Sequence, residues 1–222
     1  MRKNTAGLIL MGCLCCVIMI LVDGVLQPGY ALKSVIKIIA FLALPLAFSV
    51  WRSLPQTKVF RPSKKALLIS LLLGIGTYLL VIAAYLLLRA YIDLSAVPAA
   101  LEQSAGVTRE NFLFVGSYIA LCNSLLEEFF FRCFLFLGLA EISSKKFAYV
   151  FSAAAFSVYH AGMLITMLNP FLFLLALGAL FLCGLLFNYL NASHNSIWVS
   201  WFVHMGANFA INTVGMQLLG MF

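Results

Sequence analysis

Charge is what this sequence has least of. Of its 222 residues only 9% are charged, and only seven are acidic. Soluble domains carry roughly 25% charged residues. With 64% hydrophobic residues and a mean hydropathy of +1.07, the chain has far more apolar surface than a water-soluble fold can cover. Lipid is therefore the expected solvent for much of it. Long polar segments are also scarce. The net charge of +7 would suggest nucleic acid in a soluble protein, but no extramembrane stretch is long enough to form such a binding module. The basic residues instead sit mainly near the ends of apolar runs, where they set orientation and meet anionic lipid.

Cysteine chemistry is excluded next. The six cysteines (13, 15, 16, 122, 133 and 183) all lie inside apolar runs, so they read as small hydrophobes rather than a disulfide framework. Leu10-Met11-Gly12-Cys13 faintly resembles a lipoprotein cleavage site. The apolar run continues to Val22, however, which favours an uncleaved first helix.

Apolar runs divide the chain into about seven expected membrane helices: Ala6 to Val22, Ser34 to Trp51, Ala66 to Tyr91, Asn111 to Ala140, Phe147 to Leu168, Phe171 to Leu190, and Ser196 onward. The fourth is too long to cross upright, so it must tilt, kink or emerge. Breakers fall at Asp23-Gly24, Gln27-Pro28-Gly29, Pro55, Pro62, Asn169-Pro170 and a polar turn over Asn191 to Asn195. Asp93 to Glu110 is the longest polar stretch and suits a surface helix. The expected class is an all-α polytopic membrane protein, organised as N-terminal helices over 1–110 and a C-terminal helical core over 111–222 within one continuous membrane domain.

Lysine and arginine give an orientation. With the N-terminus in the cytoplasm, nine basic residues fall inside (Arg2, Lys3, Arg52, Lys58, Arg61, Lys64, Lys65, Lys145, Lys146). Four fall outside (Lys33, Lys37, Arg89, Arg109), and Arg132 lies within a helix. The expected setting is a cytoplasmic membrane, N-terminus inside. The small size suits a bacterial protein.

Against this background the few polar residues in apolar helices carry the chemistry, because a charge in a bilayer is costly and usually functional. The fourth helix reads Leu125-Leu126-Glu127-Glu128-Phe129-Phe130-Phe131-Arg132. Glu128 and Arg132 share a face at i, i+4 and can pair. Glu127 is turned by about 100° from Glu128, so one carboxylate can pair with arginine while the other faces a cavity. A buried ion pair that fixes packing accounts for one Glu and one Arg but leaves the second Glu unexplained. His160 falls in the fifth helix. His204 and Asn208 share a face of the seventh. A lone membrane histidine is often a helix–helix hydrogen-bonding residue, and His194 lies in a polar turn. Depth links the others. At 1.5 Å per residue, Glu128, His160, His204 and Asn208 lie about 18, 20, 12 and 18 Å from the inner ends of their helices. Three helices thus bring polar groups to a similar level, as the lining of one cavity reached from the cytoplasmic side.

Glu127-Glu128-x-x-x-Arg132, Phe156-x-x-x-His160 and His204-x-x-x-Asn208 together resemble the three-motif signature of the CAAX-protease and bacteriocin-processing (CPBP, or Abi) family of intramembrane endopeptidases. Order and internal spacing agree over roughly residues 111 to 215. The resemblance implies hydrolysis of a peptide bond in a membrane-presented peptide or protein tail: a CAAX-type tail, a bacteriocin or pheromone precursor, or a sorting tail. It implies Glu127 as general base, His160 as the residue that helps bind and activate water, and His204 and Asn208 as oxyanion donors. Glu128 and Arg132 support the site. The expected partners are lipid and that substrate, with no nucleic acid. No cofactor is favoured, although Glu127, His160 and His204 are also a reasonable zinc set and family members have been described as metalloproteases. There is no H-E-x-x-H helix.

Two other classes use the same residues differently. A bacteriocin-immunity or scaffold protein on the same fold would be non-catalytic, yet has no need to bury Glu127, His160, His204 and Asn208. An ion or solute carrier would use Glu127-Glu128 as a cation site, but the chain lacks the repeated, broken helices such folds carry.

Overall fold

A computed structural model describes residues 2–52, 63–194 and 196–222. The expected breakers Pro55 and Pro62, the basic residues Lys58 and Arg61, and Asn195 lie outside the described residues. Among the described residues there are helices and no strands. Seven long rods and one short helix follow in chain order: α1 over residues 2–26, α2 Tyr30–Trp51, α3 Lys64–Leu88, α4 Val97–Ala105, α5 over residues 112–142, α6 Lys145–Met167, α7 Pro170–His194 and α8 Ile197–Leu218. The all-α expectation is met. The polar stretch after Asp93 does contain a short helix, α4.

Five of the seven rods are long and apolar enough to cross a membrane by length and composition. The other two are α5 and α8, the rods that carry Glu127, Glu128 and Arg132 and His204 and Asn208. Large aliphatic side chains cover the outside of the bundle: Leu10 on α1, Leu80 and Leu87 on α3, and Leu174 and Leu182 on α7 are each more than 60% exposed. A soluble monomer does not present such a surface; a bilayer solvates it. The chain is an integral membrane protein.

Several sequence expectations shift at the helix ends. Asp23-Gly24 is not a loop: α1 continues through a π turn at Val22–Leu26. The second helix starts at Tyr30 rather than Ser34, which draws Lys33 inside it and moves Lys37 from its first turn to the next. The polar residues Asn191 to His194 extend α7 instead of ending it. Asn191 is buried there, so an amide in this position is no breaker. The fifth expected helix is not continuous either. It ends at Tyr159 and restarts at Ala161, with His160 in the turn between.

Glycines set two close helix approaches, as small residues do in membranes. On α8, Gly206 faces the carbonyl of Gly74 on α3 so closely that a Cβ would overlap it, and a Cβ on Gly74 would come within 2.7 Å of the Phe202 carbonyl. On α6, a Cβ on Gly162 would lie 2.5 Å from the Ile20 carbonyl of α1. The first contact lies two residues from His204 and the second two residues from His160. Hydroxyls add further ties. Ser152 donates to the Phe131 carbonyl at 2.7 Å, and Ser157 donates to the Leu177 carbonyl at 2.7 Å, holding α6 to α5 and α7.

Candidate active site

The site is built on α5, which departs from α-helical winding on both sides of its two glutamates. Ile119–Asn123 and Phe129–Leu137 are π-helical, and only Ser124–Glu128 between them is regular. Such wider turns recur at functional sites. Here they aim Glu127 and Glu128 into the bundle together, both buried.

The two carboxylates have different partners. One oxygen of Glu127, Oε1, collects three donors: the Lys37 ammonium at 2.6 Å, the Asn123 amide at 2.7 Å and the Tyr159 hydroxyl in a short hydrogen bond. The other, Oε2, is buried and has no hydrogen-bond partner. It faces His204 Nε2 at 3.7 Å and His160 Nε2 at 3.9 Å. Glu128 turns the other way. Its Oε2 lies 3.4 Å from Arg132 Nε, and its Oε1 lies 3.0 Å from His204 Nδ1. The i, i+4 pairing of Glu128 with Arg132 is therefore present, at ion-pair rather than hydrogen-bond geometry. The fully buried guanidinium is otherwise sandwiched by rings, with its carbon 4.3 Å from the Phe156 centroid and 4.9 Å from that of Phe187.

Hydrogen bonds fix how the two imidazoles present themselves. His160 Nδ1 lies 2.7 Å from the Phe156 carbonyl, which can only accept. His204 Nδ1 faces a carboxylate, which also accepts. Each ring therefore carries its proton on Nδ1 and, when neutral, turns a bare Nε2 lone pair toward Glu127 Oε2. The turn at His160 is what lets its ring leave the α6 surface at this depth. Phe156 and Phe187 pack edge-on and stacked against His204, at 5.7 and 5.2 Å between centroids.

Of the sequence-derived residues, the structure thus gathers Glu127, Glu128, Arg132, His160 and His204 into one cluster. Asn208 sits apart. It is half-buried, one turn beyond His204, and its amide donates to the Ile119 carbonyl at 3.4 Å. His194 bonds only to its own helix, through the Leu190 carbonyl at 3.1 Å. Three residues were not foreseen: Lys37, Tyr159 and Asn123. The charge count places Lys37 on the outer side as a residue that sets orientation; the structure buries it at the core of the site.

Zinc needs ligand atoms about 2.0–2.1 Å from the ion, which puts tetrahedral ligands about 3.3 Å from one another. The two Nε2 atoms stand farther than that from Glu127 Oε2, and among the described residues no group of three His, Cys, Asp or Glu side chains has metal-holding geometry. Glu127, His160 and His204 are the right donor types for zinc, but as they stand their spacing does not fit it.

Residues 109–210 match the family model described as type II CAAX prenyl endopeptidase Rce1-like. Over this segment, a little under half of the chain, the sequence is similar to that family of CAAX proteases. The similarity supports a membrane-embedded protease, a class that works in lipid on a peptide substrate at the membrane. Comparison with curated proteins and with solved structures returned no match. The matched segment holds every sequence-derived site residue but not Lys37.

Proposed function

We propose that this protein is an intramembrane endopeptidase of the CPBP family in which Glu127 activates water to hydrolyse a peptide bond in a membrane-presented tail, a CAAX-type tail being the first substrate to test. The observation that carries the reading is the unpartnered, buried Glu127 Oε2 facing two imidazole nitrogens at 3.7 and 3.9 Å. A water seated there donates one proton to Oε2 and the other to His160 Nε2, leaving an oxygen lone pair for the scissile carbonyl. As the C–O bond forms, the proton passes to Glu127, which delivers it to the amide nitrogen when the C–N bond breaks.

The developing oxyanion needs donors. Asn208 has a second amide hydrogen beyond the one on Ile119. His204 can donate only with a proton on Nε2, and Glu128 at Nδ1 places a negative charge where it stabilises that imidazolium. Glu128 and Arg132 thus act as site support, holding His204 in place.

A scaffold on the same fold is the poorer account. Packing needs neither an unsatisfied buried carboxylate oxygen nor two lone pairs aimed at it, and each is costly in an apolar interior. The spacing of these donors also supports a glutamate rather than a zinc mechanism, and Lys37 already places a positive charge on the same carboxylate.

The test uses purified protein in proteoliposomes with a farnesylated CAAX peptide and its unprenylated counterpart, with products followed by mass. Cleavage that persists after chelation supports the reading. Cleavage that stops with chelator and returns with zinc replaces it by a metallopeptidase. No cleavage of either peptide, nor of membrane-anchored precursor peptides, contradicts it.

A further inference from the structure

We infer that Lys37, on a helix outside the family-matched segment, is a positioning residue for Glu127. It clamps one carboxylate oxygen so that the other is presented to the two histidines. The inference rests on the reading of Glu127 as the base and adds the group that makes this carboxylate usable.

The geometry is specific. Lys37 Nζ lies 2.6 Å from Glu127 Oε1 and 3.1 Å from the Tyr159 hydroxyl. Since the Tyr159 hydroxyl donates to Glu127, its oxygen is free to accept from Lys37. The three groups form a closed ring of donors and acceptors around one carboxylate oxygen. With Asn123, the three donors occupy Oε1 and none reaches Oε2. A carboxylate held in this way cannot rotate about its C–C bond without breaking all three contacts. Lys37 is the only one of the three donors that also carries charge, and it offsets the cost of keeping Glu127 ionised in a dry interior.

The lysine itself is held from several sides. Its ammonium sits 4.9 Å from the Tyr159 ring centroid and 5.5 Å from that of Phe41. Phe41 in turn stacks on Phe130 at 4.2 Å. One turn earlier on α2, Lys33 is paired with the buried Asp23 of α1 at 2.6 Å. Two lysines at i, i+4 thus pin one face of α2, Lys33 to α1 and Lys37 to α5. A lysine retained only to set membrane orientation would reach for water or headgroups. This one points inward and is buried, with its ammonium on Glu127 and Tyr159.

The test compares wild type with Lys37→Met, which keeps length and apolar bulk, and Lys37→Arg, which keeps charge. On a cleavable peptide, Lys37→Met is expected to lower kcat by about 10²-fold, the effect of a small misplacement of a catalytic group, with KM within about two-fold. Lys37→Arg is expected to recover a substantial part of kcat. A second measurement needs no turnover: a thermal-melting cycle of Lys37→Met, Glu127→Gln and the double variant. Direct pairing predicts that Lys37→Met lowers Tm clearly in the wild-type background and hardly at all beside Glu127→Gln. Additive Tm changes would overturn the pairing. Coupled Tm changes with kcat unchanged in Lys37→Met would overturn the positioning role. If wild type cleaves nothing, the peptidase reading fails, while the melting cycle still decides whether Lys37 clamps Glu127.

Discussion

His204 and Glu128 face each other at 3.0 Å, Nδ1 to Oε1, and this contact turns the opposite edge of the imidazole toward Glu127. The two adjacent glutamates therefore do different work. In the proposed reading Glu127 faces the reacting space, and Glu128 orients the ring that borders it. Arg132 completes the arrangement by neutralising Glu128 from the far side.

Arg132→Ala tests that division. It leaves Glu128 buried without its counter-charge and opens a gap between Phe156 and Phe187. A loss of roughly 3–5 kcal/mol is expected, seen as a lower Tm and less folded protein in the membrane. Arg132→Lys should not restore it, since a lysine lacks the planar face that stacks between rings. Normal melting with abolished cleavage would instead put Arg132 in the chemistry.

Asn208→Ala should behave in the opposite way. Among the described residues its hydrogen bond is to the Ile119 carbonyl and is long at 3.4 Å, so melting should change little. If Asn208 donates to the oxyanion, kcat falls about 10²–10³-fold. A large drop in Tm with kcat retained in the surviving protein would make it a packing residue.

Gly206→Ala probes how α8 is seated. The added methyl meets the Gly74 carbonyl of α3, backbone against backbone, with no flexible side chain to move aside. Overpacking of this kind costs about 1–3 kcal/mol, and the shift falls two residues from His204. Both Tm and kcat should drop, and unchanged values would mean that α3 and α8 stand farther apart than described.

Much of the site was legible because charge is so rare here: Glu127, Glu128, Arg132, His160 and His204 stand out in apolar helices. Lys37 does not stand out in the sequence, because a helix starting at Ser34 leaves Lys33 outside it and Lys37 in its first turn. Pro28-Gly29 is a signal that could have corrected this, since a helix starting at Tyr30 places both lysines on one interior face. Tyr159 gave no such signal, being one aromatic among many. The π turns of α5 and the break at His160 were not legible either. No proline marks them, and tertiary packing rather than local propensity sets them.

The orientation remains a prediction of loop charge, and the structure sharpens its arithmetic. Lys37 is buried in the site and Lys33 is paired with Asp23, which leaves Arg89 and Arg109 as the basic residues assigned to the outer side. With the N-terminus in the cytoplasm, a cysteine at Ser63, exposed at the start of α3, should react with an impermeant thiol reagent only after the inner face is opened. Labelling in intact cells would reverse the topology.

The measurement closest to the central claim is single-turnover cleavage by Glu127→Gln. Glutamine keeps the size of the side chain and an oxygen to accept hydrogen bonds, but it cannot take a proton from water. The account predicts a protein that folds and inserts in the membrane, binds the peptide and releases no product on the wild-type timescale. Cleavage at the wild-type rate would contradict Glu127 as the base, and with it the reading of the whole cluster.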